Sequence, residues 1–240
     1  MTLARNLAAA AFLGAALPLA VPATSAGAAE KAQLTSLDWP PYNGEKLPGG
    51  GSNTAKLRTL LKEAGYSLKT AFLPWKRAVK YGLENDEYLG YFPEYYTDNR
   101  DCLWSEQYDK SIVGFVEHAS NTLNWSKVSD LKDYRIGVVA GYANDNGPFD
   151  AAMEAGELNV EPVNDDLTNL KKVAGGRIDA AVIDKKVMQH LLDKELPGAK
   201  DKVQFDAATL TTNGLYVCFQ PNHPKAKEVR DKLNAAISGE

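Results

Sequence analysis

The chain reads as an α/β protein built from two Rossmann-like lobes joined by crossing strands. Two β-α-β-α-β runs carry this reading, one on either side of a long β-prone stretch without helical periodicity, "DCLWSEQYDKSIVGFVEHA". Apolar segments of strand length alternate with segments repeating at i, i+3, i+4, i+7, the pattern of a mostly parallel sheet covered by helices. No low-complexity linker separates the halves, which favours lobes joined by crossing strands over beads on a string.

The elements follow in order. "AQLTSLDW" predicts a strand, and the turn-rich "PPYNGEKLPGGGSN" leads to a helix over 54–64 with Leu57, Leu60, Leu61 and Ala64 on one face. Ser52 or Asn53 is available to cap it and Gly65 to end it. "SLKTAFLP" predicts a second strand, Trp75, Ala78, Val79 and Leu83 mark a second helix, and "EYLGYFP" a third strand. After the irregular stretch, the strand "YRIGVVAG" precedes a short helix over 149–155. The strand "LNVEPVN" precedes a helix with Leu167, Leu170, Val173 and Ala174, capped by Asp165 or Asp166. "RIDAAVID" precedes a helix with Val187, Met188, Leu191 and Leu192. Two separate strands, "KVQFDAATL" and "NGLYVCFQ", and a helix with Ala226, Val229, Leu233 and Ile237 complete the pattern.

Residues 1–28 are set apart from the fold. Arg5, an apolar run over about 8–21 and the small residues Ala26 and Ala28 have the order of a cleavable secretory leader, cut after Ala28 or one residue later. An exported, periplasmic protein is therefore expected, free of the membrane because no later stretch approaches about 18 uninterrupted apolar residues. The net charge is −4, and loss of Arg5 makes the mature chain one unit more acidic. A mildly acidic surface without a Lys/Arg-rich run gives no electrostatic basis for nucleic-acid or anionic-lipid partners. Cys102 and Cys218 form either one disulfide, as an oxidising compartment favours, or two buried thiols.

No cofactor or metal is expected. His118, His190 and His223 are scattered, and no H-x-x-x-H, H-E-x-x-H or Cys/His cluster occurs. Open α/β sheets bind ligands beyond the carboxyl ends of their strands. Trp39, Trp75, Glu94, Tyr95, Tyr142 and Asp184 all fall there, so a cleft lined by strand ends is the candidate site.

Several stretches carry a family resemblance: "DWPPY", "TDNR" followed by "WSEQY", "LKDYRIGVVAGYA", "GGRIDAAVID" and "GLYVCFQPNHPKAKEVRDKLNAAI". In this order the chain resembles the periplasmic solute-binding proteins of ABC importers, in particular the polar amino-acid binders with the type II periplasmic-binding fold. The resemblance implies one lobe over 30–112 plus 209–240 and a second over 117–205, closing on a ligand like a hinged trap. It puts Cys102 and Cys218 in one lobe, which favours the disulfide. By resemblance, Arg100 grips a ligand carboxylate, Asp184 takes an α-ammonium, Trp39 and Trp75 sandwich the ligand, and Tyr142 and Ala143 belong to the second-lobe loop that helps hold the carboxylate. The chain departs from the family pattern at Ser36, at Pro93-Glu94-Tyr95 and at Ala143. Glu94 adds an acid that suits a ligand with positive or hydroxyl character.

Structural roles compete at each position. Arg100 has Asp98 and Asp101 as surface partners, Asp184 stands where a helix cap belongs, and either tryptophan serves as core. The implied function is a monomeric, non-enzymatic receptor. It captures a small, polar, carboxylate-bearing solute and delivers it to a cognate ABC permease. The alternative is a periplasmic dehydratase of prephenate- or arogenate-like acids on the same scaffold, with Glu94 or Asp184 as proton donor. A sensor module of a membrane receptor is a third use of the fold.

Overall fold

A computed structural model describes residues 29–239 together with Met1 and Thr2. The expected leader therefore lies, but for its first two residues, outside the described part. Among the described residues no helix is long and apolar enough to cross a membrane.

Strands β1 (Glu30–Ser36), β2 (Tyr66–Phe72) and β3 (Gly90–Glu94) alternate with helices α1 (Ser52–Glu63) and α2 (Trp75–Glu84). β1 pairs in parallel with both β2 and β3, as a β-α-β-α-β run requires. The irregular stretch resolves into a two-residue strand β4 (Leu103–Trp104) and a long strand β5 (Asp109–His118). The second run comprises β6 (Ile136–Val139), α3 (Pro148–Glu154), β7 (Val160–Val163), α4 (Asp166–Ala174), β8 (Ala180–Asp184) and α5 (Lys185–Lys194), with β6 parallel to β7 and β8. Strand β9 (Val203–Phe219) and helix α6 (Ala226–Ser238) follow. The sheet order is β2-β1-β3-β9-β5-β8-β6-β7.

β9 corrects the expectation of two strands. It runs unbroken for 17 residues, pairing with β5 from Val203 to Leu215 and with β3 and β4 through Tyr216, Cys218 and Phe219. The β-branched "TLTT" continues the ladder, and irregularities in its pairing with β5 bend it without ending it. Asn213-Gly214 is not a turn. A Cβ at Gly214 would lie 2.7 Å from the Tyr216 ring and 2.6 Å from Gln107 Oε1, so this glycine allows close packing within a strand.

Apolar burial explains the rest. Leu34, Leu57, Leu61, Phe92, Val217, Phe219, Val229 and Leu233 share one core that continues through Leu170, Ile183, Val187 and Leu191. Val113, Phe115, Leu131, Ile136, Val138 and Phe149 form a second. Trp104 packs with Tyr96 and Tyr216, and Trp125 packs edge-on to Phe115 while donating to Asp206. Both are packing residues. Cys102 and Cys218 form a disulfide, with Cα atoms 5.2 Å apart.

The helix ends decide what the flanking polar residues do. α1 starts earlier than expected, and neither Ser52 nor Asn53 caps it; Gly51, at φ 94°, stands at the cap with no side-chain bond. Its missing Cβ leaves room for the Tyr42 carbonyl. At α4 the cap is Asp165, whose Oδ1 accepts from Thr168 N at 2.7 Å, so Asp166 is the first helical residue. At α5 the cap is Asp184.

Candidate functional site

The carboxyl ends of β1, β3 and β6 and the start of α2 meet at the junction of the two runs. Pro74 sets the entry to α2 and places Trp75 in its first turn. The indole Nε1 donates to the Gly141 carbonyl at 3.0 Å, and the ring lies edge-on to Tyr91 and Tyr142. Gly141, at φ 87°, turns the chain after β6 and lets the Lys76 stem pass close over its backbone. Farther along this face Asn146 Nδ2 donates to the Tyr96 carbonyl and Asn213 Nδ2 to the Asn144 carbonyl, each at 3.2 Å. The segments after β3 and β6 are thus tied to each other directly.

These segments line a small, partly open cavity of about 40 Å³, bounded by Leu37, Trp39, Trp75, Pro93, Glu94, Tyr95, Tyr142, Ala143 and Leu215. Trp39 stacks on Tyr42 with ring centroids 4.5 Å apart and is almost wholly buried. Glu94 is 6% exposed. Its Oε2 accepts from Tyr91 Oη at 2.8 Å and lies 3.6 Å from Arg100 Nε, and its Oε1 accepts from Tyr95 N. Burial pushes the Glu94 carboxyl above the ordinary carboxylate range, against the pull of Arg100 and these hydrogen bonds. Tyr95 exchanges a hydrogen bond with Ser111 Oγ at 2.9 Å, and burial raises its phenol.

A second, larger recess of about 600 Å³ opens on the other side of Leu37, Trp75 and Tyr142, which line both spaces. Phe72, Val187 and Leu191 give it apolar walls, and Lys76, Asn164 and Asp166 its polar ones. Asp166 is not marked as a site residue by the sequence. It is 8% exposed, and its carboxyl is raised to about 7, first by burial and then by the charges of Asp184 and Asp165. The only signal in the sequence is the doubled acid at the start of α4, where one of the two is spare once the cap is taken.

Two of the sequence-predicted residues stand apart from both spaces. Asp184 is buried and accepts from five donors: Lys186 N and Val187 N on Oδ1, and Tyr42 Oη, Ser111 Oγ and Ile112 N on Oδ2. Its oxygens are committed to capping α5 and fixing β5, which contradicts a free acid awaiting an α-ammonium. Arg100 does not line the cavity; it sits behind Glu94, its guanidinium 5.9 Å from the Tyr91 ring centroid. Asp98 accepts from Tyr96 and is not its partner. Arg100 Nε is buried without a hydrogen bond, so part of its donor capacity is unspent. Among the described residues no group of three or more His, Cys, Asp or Glu is placed to hold a metal.

No family model and no curated protein matches the sequence. Solved structures do match. The GluR0 ligand-binding core from Nostoc punctiforme, in complex with L-glutamate, superposes with a TM-score of 0.68 at 16% identity over 87% of this chain and 92% of that one. A substrate-binding protein of an amino-acid ABC transporter gives 0.66 at 21% identity over 87% and 92%. An ancestral arginine-binding protein bound to arginine gives 0.69 at 16% identity over 87% and 91%. This is the type II periplasmic-binding fold.

In the sheet of this chain β5 and β9 stand between the strands of the two runs. Each is paired along most of its length, β5 with β8 and β9, and β9 with β5 and β3. Trp39, Trp75, Glu94, Tyr95, Tyr142 and Ala143 come together where the two runs meet, although they are spread over more than a hundred positions of sequence.

Proposed function

We propose that the protein is an extracytoplasmic receptor that closes on a small, polar, amino-acid-like solute and delivers it to an ABC permease. The observation carrying this reading is the convergence of two indoles, two phenols and a buried acid on one partly open space at the junction of the two runs. Its lining is mostly apolar with a few aimed polar groups, as in small-molecule sites, and the adjoining recess of about 600 Å³, which shares Leu37, Trp75 and Tyr142 with it, gives the room a solute needs. The matching structures include proteins described as amino-acid ABC transporter substrate-binding proteins and as bound to arginine or glutamate, which supports the same solute class. In this reading the lobes are 30–112 plus 209–240 and 117–205, residues 1–28 are a cleavable export leader, and the protein acts as a monomer.

The chemistry divides among the residues as follows. Trp39 and Trp75 cover the ligand's carbon skeleton and desolvate its charges. Arg100, which stands behind Glu94, meets a ligand carboxylate with its unspent donors once the Glu94 side chain turns aside, a charge-assisted contact of about 1.5–3 kcal/mol. Tyr142 and Ala143 hold the ligand from the second lobe. A micromolar receptor needs only about −8 kcal/mol in total.

The test is a thermal-shift and calorimetry panel of amino acids, opines, betaines, polyamines and small organic acids, because a ligand held only by the folded state raises Tm by linkage. Arg100→Ala is expected to abolish the shift given by whichever carboxylate binds the parent protein, with the unliganded Tm nearly unchanged. An unaltered affinity in that variant removes the carboxylate role from Arg100.

A second reading rests on Glu94, whose raised carboxyl at the cavity wall suits a proton donor. One matching structure is described as an ancestral amino-acid-binding protein that is a precursor of cyclohexadienyl dehydratase. Incubation with prephenate or arogenate separates the readings. Product absorbance lost in Glu94→Gln supports catalysis, and absence of product leaves the receptor.

A further inference from the structure

Asp166 holds a carboxyl that nothing in the fold requires. The cap of α4 is supplied by its neighbour Asp165, which also accepts from Thr168 Oγ1. Asp166 makes no hydrogen bond and no ion pair with another residue among the described residues, yet it is more than nine-tenths buried and lines the large recess. A buried, unpaired carboxylate is costly and is normally matched by a cation or by several donors. The other two buried acids of this region are matched in that way, Asp184 by five donors and Glu94 by Tyr91, the Tyr95 amide and Arg100. The nearby lysines do not serve. Lys76 lines the recess but is exposed and in no ion pair, and Lys186 lies over the Tyr42 ring at 5.3 Å.

We propose that Asp166 is the anchor for a ligand cation, and that the solute is a small organic molecule whose ammonium or guanidinium group seats against this carboxylate in the recess beside Trp75 and Tyr142. The proposal rests on the receptor reading and names its ligand class. The volume of about 600 Å³ fits a small organic molecule and is far larger than a bare ion needs. Phe72, Val187 and Leu191 suit an aliphatic stem, and the rings of Trp75 and Tyr142 add attraction for a cation. The titratable and charged groups facing Asp166 are Asp165 on its own helix, Asp184 at the end of β8, Tyr95 and Tyr142 across the lobe junction, and Lys76 and Asp38 around the recess. The surroundings are predominantly acidic. With the carboxyl titrating at about 7 in the free protein, protonation competes with the cation.

The experiment is calorimetric titration of the purified protein with L-arginine, agmatine, L-citrulline and L-glutamate. Citrulline keeps arginine's shape without its side-chain charge. Arginine or agmatine is expected to bind at least tenfold more tightly than citrulline. Agmatine affinity should fall about tenfold from pH 8 to pH 6, one protonation at about 7. Asp166→Asn should lose both the discrimination and the pH dependence while still folding, and Asp166→Glu should recover part of the discrimination. Citrulline binding as tightly as arginine, or wild-type agmatine affinity in Asp166→Asn, overturns the proposal. Glutamate binding without any cation binding overturns it and leaves the receptor reading standing. Silence from all four probes overturns it, and silence from the wider solute panel as well removes the receptor reading too.

Discussion

At Asp166 the sign of a pH effect on stability follows from burial alone. Its carboxyl titrates at 3.8 in an unstructured chain and at about 7 in the fold, so the native state holds a proton that the unfolded state has released. Stability therefore declines as pH rises through that window, and the full penalty is present above about 7. Asp166→Asn is expected to raise the unliganded Tm by several degrees at pH 8, at about 2–4 °C per kcal/mol for a chain of this size. The gain should vanish near pH 4. Melts at the two pH values check this, and a variant less stable at pH 8 contradicts the unpaired state of the acid. Trp39, Trp75, Glu94, Tyr95 and Tyr142 were legible as strand-end residues that share one space. Those whose partners come from elsewhere were not. Asp184 and Arg100 carry family-like positions, but five donors and Glu94 respectively decide what they do here. The choice between Asp165 and Asp166 as cap likewise depended on which oxygen reaches Thr168 N.

Among the elements, the helices and parallel strands were readable from apolar period, since each has one buried face. β9 was not, because its middle residues are partly exposed and its ends bury against different neighbours. A Cβ at Gly90 would meet the Cys218 carbonyl across the β3–β9 ladder, backbone against backbone. Gly90→Ala is therefore expected to cost at least about 1–3 kcal/mol, the range for overpacking, read as a lower denaturant midpoint with an unchanged slope. An unchanged midpoint means the strands separate freely there. Trp75→Phe keeps a ring at the start of α2 but removes the bond to the Gly141 carbonyl. A hydrogen bond worth about 1 kcal/mol changes an equilibrium about fivefold, so the variant should sample an opened cleft more often. Its radius of gyration in small-angle scattering should exceed that of the parent, and an identical curve denies the bond any part in holding the lobes together.

For the whole molecule, the disulfide closes a loop with a sequence separation of 116. In the chain-entropy model this is worth about 4–5 kcal/mol. Replacing both cysteines by serine should lower Tm by about 10–20 °C at the scale of 2–4 °C per kcal/mol. Ligand affinity should be unaffected, because neither cysteine lines the cavity or the recess. A shift under about 2 °C indicates that the unfolded chain is already compact. The two-lobed architecture was legible from the order of segments, but the closeness of the lobes was not. It depends on the Trp75, Asn146 and Asn213 contacts, whose partners lie far away in sequence.

The placement of β9 also governs when the first lobe can exist. β3 has no inner neighbour until residues 216–219 arrive, and α6, which covers Leu57 and Leu61, comes later still. The first run therefore lacks its β9 and α6 partners until a ribosome has synthesised nearly the whole chain, whereas the second core, drawn from residues 113–182, can assemble earlier.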